Sequence, residues 1–432
     1  MRVLVMGGGA REHALCWAIS RSPLLTKLYC APGNGGTAAL AENIALDPMD
    51  FAACADWASA NAIDLTIIGP ENPLAGGIAD VFTERGLRVF GPGAGAARIE
   101  GSKTFAKRLM VAADVPTAPA EIVTGYDEAI QYLDRYEAEG NSYPLIIKAD
   151  GLAAGKGVVK AENGAEARAT LDDFMVRRTL GEAGTTVLIE ECLTGTELSL
   201  FALCDGQRIA LLVPACDYKR ALDGDQGGNT GGMGAYSPPA FATPELLARI
   251  AATIVRPVVA ALAAEGTPFR GLLYAGLMIT ESGPQVIEFN ARFGDPETQV
   301  VLPRLESDLL ELCDAVAAGA LDRVAPPVWS AEAACGVVVA AEGYPGPYAK
   351  GAPITGLDAL DPDMLVFHAG TARQPDGQFV TSGGRVLTLV ARGATVAEAR
   401  AQVYANIARV TFAGARWRTD IAARDVGNAT SV

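Results

Sequence analysis

Apolar and polar positions fall into two periods along the first hundred or so residues. Short apolar runs at Val3–Met6, Lys27–Cys30, Leu65–Ile68 and Leu87–Phe90 have strand length, and each ends in a turn containing Gly or Pro. Helix-length segments separate them, a spacing that predicts βαβ units and a parallel sheet. Such sheets bind ligands beyond the carboxyl ends of their strands. Those ends read GGGAREH (Gly7–His13), APGNGG (Ala31–Gly36), GPENPL (Gly69–Leu74) and GPG (Gly91–Gly93). All four are loops with backbone donors to offer, and together they predict one shared crevice.

The pattern then changes. GSKTFAKRLM (Gly101–Met110) predicts a basic helix with Ser102 as its N-cap, and VPTAPA after it reads as a hinge. The strand YPLIIKAD (Tyr143–Asp150), the loop GLAAGKG (Gly151–Gly157) and the strand VVKA predict a Gly-rich hairpin. A further strand follows in TVLIEECL (Thr186–Leu193), and strands and loops alternate onward through GDQGGNTGGMGAY (Gly224–Tyr236). The Pro-rich VAPPVW (Val324–Trp329) opens a last unit, with strands near CGVVVAA and RVLTLVA. The reading is α/β, divided at residues 1–101, 102–323 and 324–432.

Composition narrows the function. A chain of 432 residues exceeds one ordinary core. Its net charge of -15 argues against nucleic acid as a partner, while a local basic pocket could still take a small phosphorylated ligand. Eight scattered cysteines without a CxxC pair read as reduced thiols of a cytoplasmic protein. His13 and His368 are too few for a His-rich metal centre. No signal-peptide pattern opens the chain and no uncharged apolar stretch of about 18 residues occurs, so no membrane partner is expected.

Several segments carry candidate chemistry. In GGGAREHA, Glu12 occupies the third glycine position of a dinucleotide fingerprint, and no ribose-binding acid ends the next strand. What survives is either a plain tight turn or a mount for a phosphate monoester at Gly8, Gly9 and Arg11. GLAAGKG fails as a Walker loop, because three residues separate Gly151 from Gly155 and Gly157 follows Lys156. It can be a phosphate lid or an ordinary hairpin. Lys148, in an apolar strand just upstream, is costly to bury unless it meets an anion. Glu190, Glu191 and Glu197 surround a strand end, as a ribose-binding acid or as solvated glutamates. Asp217, Lys219 and Arg220 precede a long glycine loop whose Asn229 and Thr230 offer polar groups. In VIEFNARFGDPETQ (Val286–Gln299), alternation puts Ile287 and Phe289 on one face and Glu288 and Asn290 on the other. Two oxygen-bearing side chains together suit Mg²⁺, and Arg292 can clamp a carboxylate or phosphate.

Taken together and in order, GGGAREHAL, GPENPL, KADGLAAGKGV, GGMGAYSP and RFGDPETQ resemble the phosphoribosylamine–glycine ligase family of ATP-grasp enzymes over essentially the whole chain. The resemblance implies an N-terminal parallel-sheet domain, a central ATP-grasp region with a mobile flap over about residues 121–189, and a small C-terminal α+β domain. It implies that glycine is joined to 5-phosphoribosylamine with ATP, through glycyl phosphate, by a monomer or weak dimer. Glu288 and Asn290 match the ligands of Mg²⁺ or Mn²⁺. Lys103, Lys148 and the loop at Gly155, Lys156 and Gly157 match nucleotide contacts, as do Glu190, Glu191, Leu193 and Glu197. Gly8, Gly9, Arg11, Glu12, Glu71, Asp217, Lys219 and Asn229 fall on the substrate side, with Arg292 and Asp295 at the acyl transfer. Ala10 and Tyr218 depart from the usual Gly and His of that family. The competing expectations are another ATP-grasp ligase or carboxylase, a nicotinamide-dependent oxidoreductase, or a nucleotide-binding sensor.

Overall fold

A computed structural model describes residues 1–152 and 157–428. Strands β1 (Arg2–Gly7), β2 (Lys27–Pro32), β3 (Glu42–Asn43), β4 (Leu65–Ile68) and β5 (Val89–Phe90) form a parallel sheet in the order β3-β2-β1-β4-β5. The unbroken apolar run of β1 has a direct cause. Leu4 and Met6 pack into one core with Ala58, Ile78 and Phe82, while Val3 and Val5 pack into another with Leu15 and Ile19. The chain steps to opposite sides of β1 to reach β2 and β4, so a crevice opens beyond β1 and β4. Two-residue β3 was not expected from its sequence, and β5 is shorter than its apolar run.

The hairpin expected around GLAAGKG is present. Strands β6 (Ala120–Val123), β7 (Leu145–Ala149), β8 (Val158–Ala161) and β9 (Val187–Glu191) form an antiparallel sheet, β6-β9-β7-β8, with Lys148 opposite Val158. Leu133, Ile147, Leu171 and Ile189 give this sheet and its helices a core of their own. Ser102 caps the helix Lys103–Ala112 by accepting from Phe105 N at 3.1 Å. The VPTAPA segment is tied down rather than free: Val286 N donates to Pro116 O at 2.8 Å, and Thr117 Oγ1 to Val286 O at 3.0 Å.

A second antiparallel sheet holds β10 (Thr196–Asp205), β11 (Ile209–Leu211), β16 (Arg270–Thr280) and β17 (Gly283–Asn290), in the order β11-β10-β16-β17. Between β11 and β16 lie β12 (Cys216–Asp217), the ribbon β13–β14 (Arg220–Leu222 and Gln226–Asn229) and β15 (Gly234–Ser237). The helical run Pro244–Ala264 has the length and apolar content of a membrane span. It carries Arg249 and Arg256, and its Ile250, Ile254, Val258 and Leu262 are core residues.

The C-terminal strands are β18 (Ala333–Ala341), β19 (Leu365–His368), β20 (Thr371–Arg373), β21 (Phe379–Thr381), β22 (Arg385–Gly393) and β23 (Ala415–Arg416). β12 and β15 join β18, β22 and β19 in one sheet, so main-chain hydrogen bonding runs across residue 324.

Strict alternation along β17 does not hold. The register with β16 slips between Val286 and Glu288, leaving Ile287 without an opposite residue. This β-bulge buries Val286 and Phe289, three apart, and turns Ile287 toward the cleft alongside Glu288.

Candidate active site

A cleft of about 310 Å³ lies between the small sheet and β17, with the helix Lys103–Ala112 along one wall. Ala106, Met110, Val158 and Leu188 line one part of it, and Glu71, Glu100, Lys103, Glu288, Asn290 and Arg292 another. An apolar slot leading to a charged floor suits a ligand with a flat ring and an ionic tail.

The anion that Lys148 needs is supplied by the protein. Glu190, on β9, is 5 % exposed, and its carboxylate lies between Lys148 Nζ at 2.5 Å and Lys107 Nζ at 2.6 Å. Lys148 also donates to Ile287 O at 2.9 Å, the carbonyl presented at the bulge. Lys107 completes its bonding on Thr117 Oγ1 and Ala118 O. Burial pushes the Lys107 pKa down, against the pull of Glu190. Lys107 was missing from the sequence reading. The available signal was its spacing of four from Lys103, which puts both ammoniums on one helix face.

Lys103 Nζ donates to Gly151 O at 2.8 Å, at the start of the hairpin loop. Asp150, the last residue before that loop, accepts from Thr104 N and Thr104 Oγ1. The loop is thereby tied to the helix N-terminus, a site that favours a carboxylate. Gly157 lines the cleft and accepts from Ala149 N at 2.8 Å, while Gly155 and Lys156 lie outside the described residues. Glu191, Leu193 and Glu197 follow Glu190 but are not among the residues lining the cleft.

Glu288 is surrounded by cations. Desolvation opposes its ionisation, but Lys219, Lys148, Lys103 and Arg292 outweigh it and hold its pKa below the ordinary glutamate value. Lys219 Nζ lies 3.8 Å from Glu288, 3.1 Å from Glu197 and 4.0 Å from Asp217, so one ammonium gathers three carboxylates. Burial, with the nearby carboxylates, raises the Asp217 pKa to about 8 against the attraction of Lys219. Asn229 lies apart, exposed on the β13–β14 ribbon. Tyr218 sits in the core, with the Arg418 guanidinium 4.8 Å from its ring centre.

On the other side, Arg292 Nη2 reaches Asn290 Oδ1 at 3.1 Å and Glu100 Oε1 at 3.0 Å, and Nε lies 3.5 Å from Glu71 Oε2. Glu100 also accepts from Ala291 N, and burial raises its pKa despite Arg292. Nothing in the sequence around Glu100 marked it. Arg11 Nε pairs with Glu12 at 2.6 Å, and its Nη1 lies 4.0 Å from Glu71. Glu12 reaches back to Gly9 N at 2.6 Å and so caps its own helix. Gly8 and Gly9 present their carbonyls to Asn34 Nδ2. The turns after β1 and β4 thus meet the Arg292–Phe293 segment across the crevice that the strand order predicts, through Arg11 to Phe293 O and Glu71 to Arg292.

Asp295 is held by Arg385, which opens β22, with Nη2 2.8 Å from Oδ2, and by Gln299 Nε2 at 2.7 Å. Burial works against ionisation of Asp295, but Arg385 and Arg11 keep its pKa low. Glu297 is buried, with Ser199 Oγ 3.2 Å away.

This arrangement, with a small antiparallel sheet set over a larger one and a lysine- and carboxylate-lined cleft between, is that of an ATP-grasp ligase. The models of the phosphoribosylglycinamide synthetase N domain, ATP-grasp (A) domain and C domain match residues 1–100, 101–298 and 334–424, and the chain belongs to that family. The phosphoribosylamine–glycine ligase of Halalkalibacterium halodurans is 49% identical over 428 residues, covering 99% of this chain and 97% of its own. That of Streptomyces coelicolor is 49% identical over 431 residues, covering 99% and 100%. The crystal structure of the Thermotoga maritima phosphoribosylamine–glycine ligase superposes with a TM-score of 0.82 at 33% identity, over 98% of this chain and 100% of that one. The biotin carboxylase domain of Hydrogenobacter thermophilus 2-oxoglutarate carboxylase, solved with MgADP, shares the fold at TM-score 0.73 and 17% identity. The family resemblance and the fold expected from the sequence are thus borne out.

Proposed function

We propose that this chain ligates glycine to 5-phosphoribosylamine, giving glycinamide ribonucleotide, ADP and phosphate, as a cytoplasmic enzyme of purine biosynthesis acting on small molecules as a monomer or weak dimer. The observation that carries the reading is the run of charge along the cleft, from Glu190 through Lys148 and Lys103 to Glu288. The apolar slot beside Glu190 suits adenine, and the lysines suit the phosphates. We divide the chain into residues 1–101, 102–323 and 324–432, with residues 121–189 closing over the nucleotide.

The donor set fits a hard cation. Glu288 is held ionised and Asn290, two residues on in the same strand, adds a neutral oxygen. Glu288 and Asn290 would hold Mg²⁺ or Mn²⁺ while leaving positions for phosphate oxygens and water. The ion, when bound, supplies charge neutralisation to the phosphates.

The chemistry then follows from what glycine lacks. Its carboxylate is a poor electrophile, so one carboxylate oxygen first attacks the γ-phosphorus and ADP leaves. Lys103 and Lys148 offset the charge of the transferred group, the main service an enzyme gives to phosphoryl transfer. The amine of phosphoribosylamine attacks the carbonyl carbon of glycyl phosphate, phosphate leaves, and the amine gives up a proton. Arg11, the Gly8–Gly9 turn and Glu71 form the phosphoribosylamine side, and Asp295 faces that turn. Arg292, steadied by Glu100 and Glu71, faces the acyl group.

The test uses purified protein with ATP, Mg²⁺ and glycine labelled with ¹⁸O in its carboxylate. ADP release that requires both glycine and phosphoribosylamine, with one ¹⁸O appearing in phosphate, is expected. Label-free phosphate would overturn the acyl phosphate, and ADP release indifferent to either substrate would overturn the ligase reading.

A further inference from the structure

The two carboxylate oxygens of Asp295 are both engaged by one side chain from the C-terminal strands. Arg385 Nη2 lies 2.8 Å from Oδ2 and Nη1 3.3 Å from Oδ1, a two-point pairing that fixes the plane of the carboxylate as well as its position. The same Nη1 reaches the carbonyls of Gly231, Gly232 and Asp295 itself. One guanidinium therefore ties together β22, the glycine loop before β15 and the Gly294–Pro296 turn.

The location of Asp295 gives that tie a chemical meaning. A methyl group built on Gly9 would lie 3.8 Å from Asp295 Oδ2, so the carboxylate stands directly against the GGG turn that ends β1. Glu12 and Arg11 stand on the helix that the same turn opens. Asp295 thus stands beside the turn and the helix start that the ligase reading gives to phosphoribosylamine. At 22% side-chain exposure Arg385 is largely removed from water, so its charge acts on Asp295 with little screening.

We propose that Arg385 is a positioning residue for acyl transfer: by its two-point pairing it fixes the Asp295 carboxylate in place and oriented toward the amine of phosphoribosylamine, which makes the C-terminal unit part of the acceptor site. This rests on the ligase reading above. Asp295 touches the substrate, and Arg385 acts only through it and through the glycine loop. Arg385 bonds to Gly231, Gly232 and Asp295 and does not line the cleft that holds Lys148 and Glu190, so a loss confined to the acceptor end is expected.

The experiment compares wild type, Arg385→Gln, Arg385→Lys, Asp295→Asn and the double variant Arg385→Gln/Asp295→Asn. Arg385→Gln is expected to lower kcat/KM for phosphoribosylamine by about 10- to 100-fold while the Kd for ATP, read by nucleotide fluorescence, stays within about twofold. Arg385→Lys, which keeps charge but loses the two-point geometry, is expected to recover part of that loss. In the Asp295→Asn background the loss from Arg385→Gln should largely vanish, because the two side chains act as one unit. A full additional loss in that background, an ATP Kd that worsens in step with kcat/KM, or unchanged kinetics in Arg385→Gln would each overturn the proposal. Failure of the wild type itself to form product would instead remove the ligase reading.

Discussion

Glu190 shows how a buried charge becomes useful at the scale of one residue. Two ammoniums on one carboxylate leave a local excess of positive charge, which Glu288 offsets in part and a bound anion can offset further. Replacing Glu190 by Ala strands Lys107 and Lys148, which are each about as buried as Glu190. A loss of about 3–5 kcal/mol in urea denaturation is expected, together with weaker ATP binding in the same variant. Lys107→Met should weaken ATP binding less than Lys148→Met, since Lys107 commits three donors to Glu190, Thr117 Oγ1 and Ala118 O, while Lys148 commits two, to Glu190 and Ile287 O. Titration of both variants with nucleotide checks the order. Lys148 illustrates what was legible here. Its place in an apolar strand demanded an anion, but sequence could not say that the first such anion is a glutamate on the neighbouring strand.

At the scale of elements, two turns of the parallel sheet are shaped around one side chain. A Cβ on Gly69 would lie 2.1 Å from Glu12 Oε1, and one on Gly7 2.6 Å from Glu12 Cγ. The glycines that end β1 and β4 therefore make room for Glu12, which caps its helix and aligns Arg11. Gly69→Ala must displace Glu12. Overpacking costs about 1–3 kcal/mol, so a lower thermal midpoint is expected, with a raised KM for phosphoribosylamine and an unchanged Kd for ATP. A midpoint and KM equal to wild type would show that the turn tolerates a methyl group. The same paired loops were legible as a crevice from the strand spacing. The bulge in β17 was not, because alternation counts residues and cannot see a slip in register.

The whole molecule is closed by contacts between its two ends. His13, on the first helix, accepts from His368 N at 2.8 Å through Nδ1, and His368 Nδ1 lies 3.0 Å from Thr371 Oγ1. Burial lowers the His13 pKa to about 3, with help from His368, and burial lowers that of His368 to about 4. In the unfolded chain both would titrate near 6.5. The native state then binds fewer protons than the unfolded state below that pH, so stability is full above about 6.5 and falls as pH drops toward the native values. Urea midpoints at pH 7.5 and 5.5 are expected to differ in that direction, and His13→Asn should flatten the slope. A midpoint unchanged between the two pH values would contradict the neutral pair.

The strand-and-loop order, the hairpin around GLAAGKG, the Ser102 cap and the grouping of ligand-capable residues in VIEFNARFGDPETQ all follow from the sequence. Periodicity, turn chemistry and capping act over a few residues and leave a local trace. So does the family, through motifs that span the chain. Only the tertiary structure decided that Lys107 and Glu190 share a charge with Lys148, that Glu100 braces Arg292, and that Arg385 reaches Asp295 from another part of the chain. Each of those pairs joins side chains far apart in sequence whose meeting depends on how sheets stack. A charge in a low-dielectric site is set by the neighbours that folding brings to it, and no local pattern records them.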